Sequence, residues 1–366
     1  MASFAVIPGK ALGKLALGLP LPAAIAYLKR ERHHFRKYEL KFGDQDPFEH
    51  SIVLNLVHNG IALRFEPISQ RLISIEIFDF ELMVLTYEGT PFSSSSIIAT
   101  FLLIYNTFGP TYPGDFDQEK LQYTLKYPGI AFVFTIPKAF LSVLNISDLP
   151  IAFPDGTTPV VSRMYIYHGP SLAEAETSKL GAFDMYFERV IVKPCVGLKF
   201  SLRDGSIELG ETCQDVLAEI GKPEDIVRKQ HDKMGIHRDS SEKLSTNPNY
   251  IWNYFSMGID IVFDGTFHRV IKMILHTNML GHHDVNKYAA CNFDIVAEND
   301  VCKRHIRNTT KWDDVQQIFD SLPLGPPVIS NRNPNHNPFG STSYYALHDI
   351  IFEVMKNNYI ASITLY

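Results

Sequence analysis

The sequence predicts an α+β protein of two similar domains, each built from helix-plus-antiparallel-β-hairpin units with the helices packed on one face of the sheets. Three observations carry that expectation. An amphipathic helical stripe occurs four times, a strand of alternating apolar residues follows each stripe, and a turn residue precedes each strand.

The first stripe is Leu21, Ala24, Ile25 and Leu28, at i, i+3, i+4, i+7. Phe101, Ile104, Tyr105 and Phe108 repeat the spacing, as do Cys213, Val216, Leu217 and Ile220, and then Val315, Ile318, Phe319 and Leu322. Thr212 with Asp215, and Thr310 with Asp313, have the spacing of capping boxes at the third and fourth helices, with Asp in place of Glu or Gln. Gly109-Pro110, Gly221 then Pro223, and Gly325-Pro326 stop the last three helices, whereas the first runs into charge.

The strands follow. Asn59-Gly60 leads into Ile61, Leu63, Phe65; Gly129 into Ile130, Phe132, Phe134; Gly258 into Ile259, Ile261, Phe263; and Asp349 into Ile350, Phe352, Val354. The third is the clearest: Asp260 and Val262 alternate with the apolar set, the period of a strand with one face on a core, and Asp264-Gly265 turns into Phe267–His276. A return strand is expected at Arg71–Phe78, Phe267–His276 and Tyr359–Tyr366, while the second unit passes into Pro137 with a different continuation. Units one and two would make a domain of 1–200, and units three and four a domain of 201–366. The boundary is placed near Lys193–Ser206, where the strand-like run Tyr186–Val192 meets Pro194 and Asp204-Gly205.

Composition narrows the function classes. An apolar content of 45% with 20% charged residues argues against wholesale disorder, and a net charge of −6 gives no global field to collect nucleic acid. Four cysteines, without a CxxC pair or a dense pattern, read as reduced thiols, mostly core, of a cytosolic protein. Leu15–Leu28 is broken by Pro20 and Pro22 and falls short of the roughly 20 apolar residues of a membrane span. A soluble cytoplasmic chain without a transmembrane segment is expected.

Catalytic signatures are missing: there is no GxGxxG, HExxH or GxSxG, and Gly9–Lys14 is one residue short of a phosphate loop. The expectation is a non-enzyme with no cofactor and no metal. His276, His282, His283 and Asp284 cluster in one loop, and two readings stand: a metal or hydrolase centre, or a polar loop with a histidine satisfied by backbone. Lys29–Lys37 sets five cations against Glu31, with Phe35 and Tyr38 interleaved. Such a run docks phosphorylated headgroups or is the solvated end of a helix; a continuous aromatic platform for nucleic acid is not evident. Asn333–Ser341 carries Phe339 as either a partner contact or a plug on the sheet.

Several short motifs in fixed order resemble the phagosome assembly factor 1 family. They include Gly210-Glu211-Thr212-Cys213-Gln214-Asp215-Val216-Leu217, Asn253-Tyr254-Phe255, Leu275-His276-Thr277-Asn278, Gly281-His282 and Lys311-Trp312-Asp313. Asn337-Pro338-Phe339-Gly340-Ser341-Thr342, Ile351-Phe352-Glu353-Val354-Met355 and Arg163-Met164-Tyr165-Ile166-Tyr167 extend it over nearly the whole chain. The resemblance implies a non-enzymatic cytosolic adaptor of autophagy that pairs with a WD-repeat β-propeller protein. The two together would bind phosphoinositides and collect at the phagophore assembly site. No binding residue carries over from the family. The candidates, drawn from the residues above, are His276, Asn278, His282, Asn337 and Phe339 for the partner, and Lys29, Arg30, Arg32, Arg36 and Lys37 for lipid. Two alternatives are a stand-alone phosphoinositide-binding peripheral protein and a hydrolase centred on His276, His282 and Asp284.

Overall fold

The computed structural model describes residues 2–140, 149–177, 187–228, 248–299, 302–319, 325–330, 340–347 and 349–366. The chain divides into two compact units, 1–43 with 49–183, and 44–48 with 184–366.

In the first unit, β1 (Ala2–Ile7), β2 (Ala11–Leu12) and β3 (Leu15–Ala16) lead into α1 (Leu21–Arg30). A meander follows: β4 (Glu39–Lys41), β5 (Ile52–Leu56), β6 (Ile61–Phe65) and β7 (Leu72–Ile77). Next, β8 (Met83–Tyr87) and β9 (Thr90–Ser93) lead into α2 (Phe101–Phe108). A second meander, β10 (Asp115–Asp117), β11 (Gln122–Tyr127), β12 (Ile130–Thr135) and β13 (Val161–Tyr167), precedes α3 (Leu172–Thr177).

The second unit repeats this. It has β14 (Arg189–Lys193), β15 (Gly197–Phe200), β16 (Ser206–Glu208) and α4 (Cys213–Ile220), then β17 (Asp225–Arg228), β18 (Tyr250–Tyr254), β19 (Ile259–Phe263) and β20 (Val270–His276). After β21 (Asn292–Asn299), β22 (Cys302–Arg307) and α5 (Trp312–Ile318) come β23 (Val328–Ser330), β24 (Thr342–Leu347), β25 (Ile350–Val354) and β26 (Ile360–Leu365).

Sheet order is the same in both units. The five-stranded sheets run β3-β2-β1-β8-β9 and β16-β15-β14-β21-β22, each with its one parallel pairing at β1–β8 or β14–β21 among the described residues. Each eight-stranded sheet is two meanders joined antiparallel through their last strands, β7 to β13 and β20 to β26. All four meanders slip register at one place, before Phe65, Phe134, Phe263 and Val354, the fifth residue of the repeated strand. A bulge kept at one position in four copies is a built feature of the unit. It also shows the last strand of the second meander to be β13, after an excursion through residues 136–160. The continuation at Pro137 is thus an insertion within the same pattern.

The apolar triplets fix the register. Ile61, Leu63, Phe65, Ile130, Phe132, Phe134, Ile259, Ile261 and Phe263 are fully buried, each worth about 1.5–3 kcal/mol, and a one-residue slip would turn every one outward. In the second unit one core joins Phe200 and Phe293 of the small sheet, Ile261, Phe263 and Phe352 of the large one, and Val216, Trp312 and Val315 of the helices. The helices therefore share one face of the large sheet. An addition lies on the other face of the first unit, where Ala175 of α3 packs with Ala131 and Tyr167.

The α1 stripe is buried as its spacing predicts, whereas Tyr105 and Leu217 remain exposed on α2 and α4. Two-turn helices lay only their central residue, Ile104 or Val216, into the core. Thr212 and Asp215 form the reciprocal capping box. At α5 the cap is Lys311 without a side-chain bond, because the Thr310 hydroxyl accepts from Arg307 N–H at 2.9 Å instead. The division between units falls earlier than the Pro194 and Asp204-Gly205 signals suggest. β14 and β15 pair with β21 and β16, so the run ending at Val192 opens the second unit.

Candidate functional site

Alternation along β19 leaves Asp260 and Val262 on the face away from the core, yet both are buried. The cover is the connection from β20 to β21, residues 277–291. It is tied at its start by the Thr277 hydroxyl, which donates to the Ile360 and Ala361 carbonyls at 2.9 and 2.8 Å. Further on, Asn286 N–H donates to Asn278 Oδ1 at 2.7 Å, Ala289 N–H to the Phe255 carbonyl at 2.7 Å, and Cys291 N–H to the His276 carbonyl at 2.8 Å. Gly258, at φ +71°, makes the close approach: a Cβ there would meet Ala289 O at 2.3 Å.

Two buried carboxylates hold this segment down. Asp260 Oδ1 accepts from Asn253 Nδ2 at 2.7 Å, and Oδ2 accepts from the Tyr288 hydroxyl at 2.8 Å and faces His276 Nε2 at 3.0 Å. The His276 and Tyr288 rings stack at 3.8 Å. Burial, then the Asp260 charge, push the Tyr288 hydroxyl well above its ordinary range, and burial does the same to the Cys291 thiol.

Glu353 is the second hub. Oε1 accepts from His282 Nε2 at 3.1 Å, Thr342 Oγ1 at 2.9 Å and the Tyr344 hydroxyl at 2.7 Å, and Oε2 accepts from Ser362 Oγ at 2.7 Å. Burial raises its pKa, but the His282 hydrogen bond, with the Ser362 and Tyr344 hydroxyls, more than offsets that, and the net direction is down. Asp284 N–H points at His282 Nδ1 at 3.4 Å, which assigns the imidazole proton to Nε2, the atom donating to Glu353. Beyond it, His283 Nε2 lies 3.1 Å from Asp284 Oδ2. His282 and His283 line a cleft of about 420 Å³ with Asp44, Gly340, Thr342 and Lys356.

The geometry redistributes the candidates. His276, Asn278 and His282 are buried and face inward, so a partner would meet the segment they hold and not these side chains. Asn337 and Phe339 lie outside the described residues. His276 and His282 each turn to a separate carboxylate, so His276, His282 and Asp284 do not form one hydrogen-bonded chain. Lys29, Arg30, Arg32, Arg36 and Lys37 are exposed at and beyond the end of α1. Arg30 pairs with Glu31 at 3.7 Å and lies over the Tyr27 ring, whereas the other four make no ion pair among the described residues. Phe35, read as interleaved with these cations, is buried against Phe4 and Tyr27. Among the cysteines with described side chains only Cys291 is buried; Cys195, Cys213 and Cys291 are unpaired thiols.

A model of the family described as Phagosome assembly factor 1 matches residues 11–366. The chain belongs to that family. Its PHAF1 relatives include a protein of Arabidopsis thaliana, 38% identical over 99% of this chain and 92% of its own length. Those of Drosophila melanogaster and Caenorhabditis elegans are each 31% identical, over 100% and 99% of this chain and 94% of their own lengths. No solved structure matches. Among the described residues of this PHAF1 family member, no helix is long and apolar enough to cross a membrane.

Sequence reasoning missed Asp260, Glu353, Tyr288 and Ser362. Asp260 stands where the first two meanders have Ala62 and Ala131, and Glu353 where they have Arg64 and Val133, and alternation alone gives both the look of solvent-facing positions.

Proposed function

We propose that this PHAF1 family member is a non-enzymatic adaptor in autophagy. In this reading it pairs with a WD-repeat β-propeller protein in the cytoplasm, and the complex is recruited to the phagophore assembly site by binding phosphoinositides. Family membership supplies the theme. One observation favours this reading over a hydrolase: His276 at the end of β20 and His282 in the loop are each held by an internal carboxylate, a use that stabilises a surface. Pull-down of the propeller protein by the purified chain, with vesicle flotation of the complex, tests it. Binding of the propeller and flotation of the complex are expected; failure to bind any WD-repeat protein of the autophagy machinery removes the reading.

Lys29, Arg32, Arg36 and Lys37, exposed and without an ion pair among the described residues, favour a second reading, in which the chain alone reads phosphoinositides. Salt-sensitive flotation of the isolated chain would support it, and flotation of the complex only would exclude it.

A further inference from the structure

We propose that the loop His282-His283-Asp284 binds a divalent transition metal of the zinc class. One ligand atom from each of the three residues lies within 4.8 Å of the other two. Donors at zinc–ligand distances of about 2.0–2.2 Å around a tetrahedral ion stand roughly 3.3 Å apart, so small side-chain rotations reach that spacing. Two imidazoles and one carboxylate are a donor set that zinc accepts, with a position left for water or a further ligand.

The orientation of His282 is an independent observation. Its Nε2–H is fixed by Glu353, which is itself fixed by the Thr342, Tyr344 and Ser362 hydroxyls. A buried carboxylate behind a histidine is the usual device for setting the tautomer and aim of a metal-ligating imidazole. It directs the Nδ1 lone pair to the loop side, where Asp284 N–H makes a long approach of 3.4 Å. The purely structural role of His282 needs none of this geometry at His283 and Asp284.

The backbone is prepared as well. His282 N–H donates to the Met279 carbonyl, Val285 N–H to the His282 carbonyl and Lys287 N–H to the Asp284 carbonyl, each at 3.1 Å, so successive turns order the backbone that carries the three side chains. His282 is buried while His283 and Asp284 are half-buried beside the cleft, which gives an ion an entry path. Asp44 adds a carboxylate to the lining, and Lys356 is the opposing charge. The Lys356 ammonium lies against Gly340, where an added Cβ would meet it at 3.0 Å. Capture of the ion requires His283 to move its proton to Nδ1 if Nε2 ligates, since Nε2 now faces Asp284.

The test uses the full chain, stripped with a chelator. Zinc chloride titration by calorimetry should give one equivalent bound, and cobalt chloride should give the intense visible bands of a four- or five-coordinate ion. His283→Ala combined with Asp284→Asn, both on the rim, should abolish the cobalt bands and weaken zinc by at least about 100-fold, with unchanged far-ultraviolet circular dichroism. Glu353→Gln should weaken zinc by about 10–100-fold through loss of aim at His282. Equal zinc binding by the native chain and the rim variant overturns the proposal, as does a cobalt spectrum of the hexaaqua ion. The propeller protein takes no part, so the outcome is separate from that of the adaptor reading.

Discussion

Glu353→Ala removes the acceptor of four hydrogen bonds from a site where both Glu353 and His282 are 5% exposed. An imidazole N–H and three hydroxyls are left facing a void. Each buried donor left without its acceptor costs about 1–3 kcal/mol, so the loss should reach about 3–5 kcal/mol. Glu353→Gln keeps the size and one acceptor oxygen but loses the charge, so a cost of about 1.5–3 kcal/mol is expected. Both tryptophans, Trp252 and Trp312, lie in the second unit, so their emission during urea unfolding reads that unit alone. The midpoint should fall from the native chain to Gln and further to Ala, with an unchanged m-value. The pH dependence has a definite sign. A carboxylate whose folded-state pKa is lowered stabilises fully above its unfolded pKa near about 4.3, and that contribution is lost as pH falls below it. The acid limb should therefore be steeper for the native chain than for Glu353→Gln. A loss under about 0.5 kcal/mol for Ala, or equal losses for the two variants, would refute the hub.

Other perturbations give matched comparisons. Thr212→Ala breaks a capping box and should cost about 1 kcal/mol, whereas Thr310→Ala, at a residue that caps nothing, should stay within about 0.5 kcal/mol by the same unfolding assay. Gly258→Ala and Gly221→Ala both place a side chain at positive φ, near +71° and +80°, a strain of about 1–2 kcal/mol. Only the first also drives a Cβ into Ala289 O, so Gly258→Ala should melt lower; equal melting would sink the close-approach argument. Reversing Lys29, Arg32, Arg36 and Lys37 to Glu should cut vesicle binding of the complex on the order of a hundred-fold while leaving the unfolding midpoint in place. Unchanged flotation would remove the basic run from the lipid surface.

The repeat was legible because its carriers are local. The i, i+3, i+4, i+7 stripes, the glycines before Ile61, Ile130 and Ile259, and the five-residue apolar strands each report a backbone period, and periods survive without knowledge of neighbours. The covered face was not legible. Asp260 alternates with Ile259 and Ile261 as a solvent-facing residue would, and only the path of residues 277–291 reveals that it is buried. The histidines were found as a cluster, but their partners are far off in sequence: Glu353 lies 71 residues from His282. Phe35 was misjudged for a related reason, since its packing on Phe4 requires the fold.

The two units keep one topology while their outer faces diverge, and the length of a single connection is the cause. Residues 78–82 join β7 to β8, whereas 277–291 join β20 to β21. On the first unit's outer face Glu76 pairs with Arg163 and accepts from the Tyr165 hydroxyl at 3.3 Å, and α3 covers Ala131 and Tyr167 nearby. On the second, the longer connection lies over the sheet, and the carboxylates beneath it must then find partners inside the protein. Asp260 and Glu353 meet that demand with three and four contacts, and in doing so they fix the loop that presents His283 to the cleft. The hubs thus follow from covering the sheet.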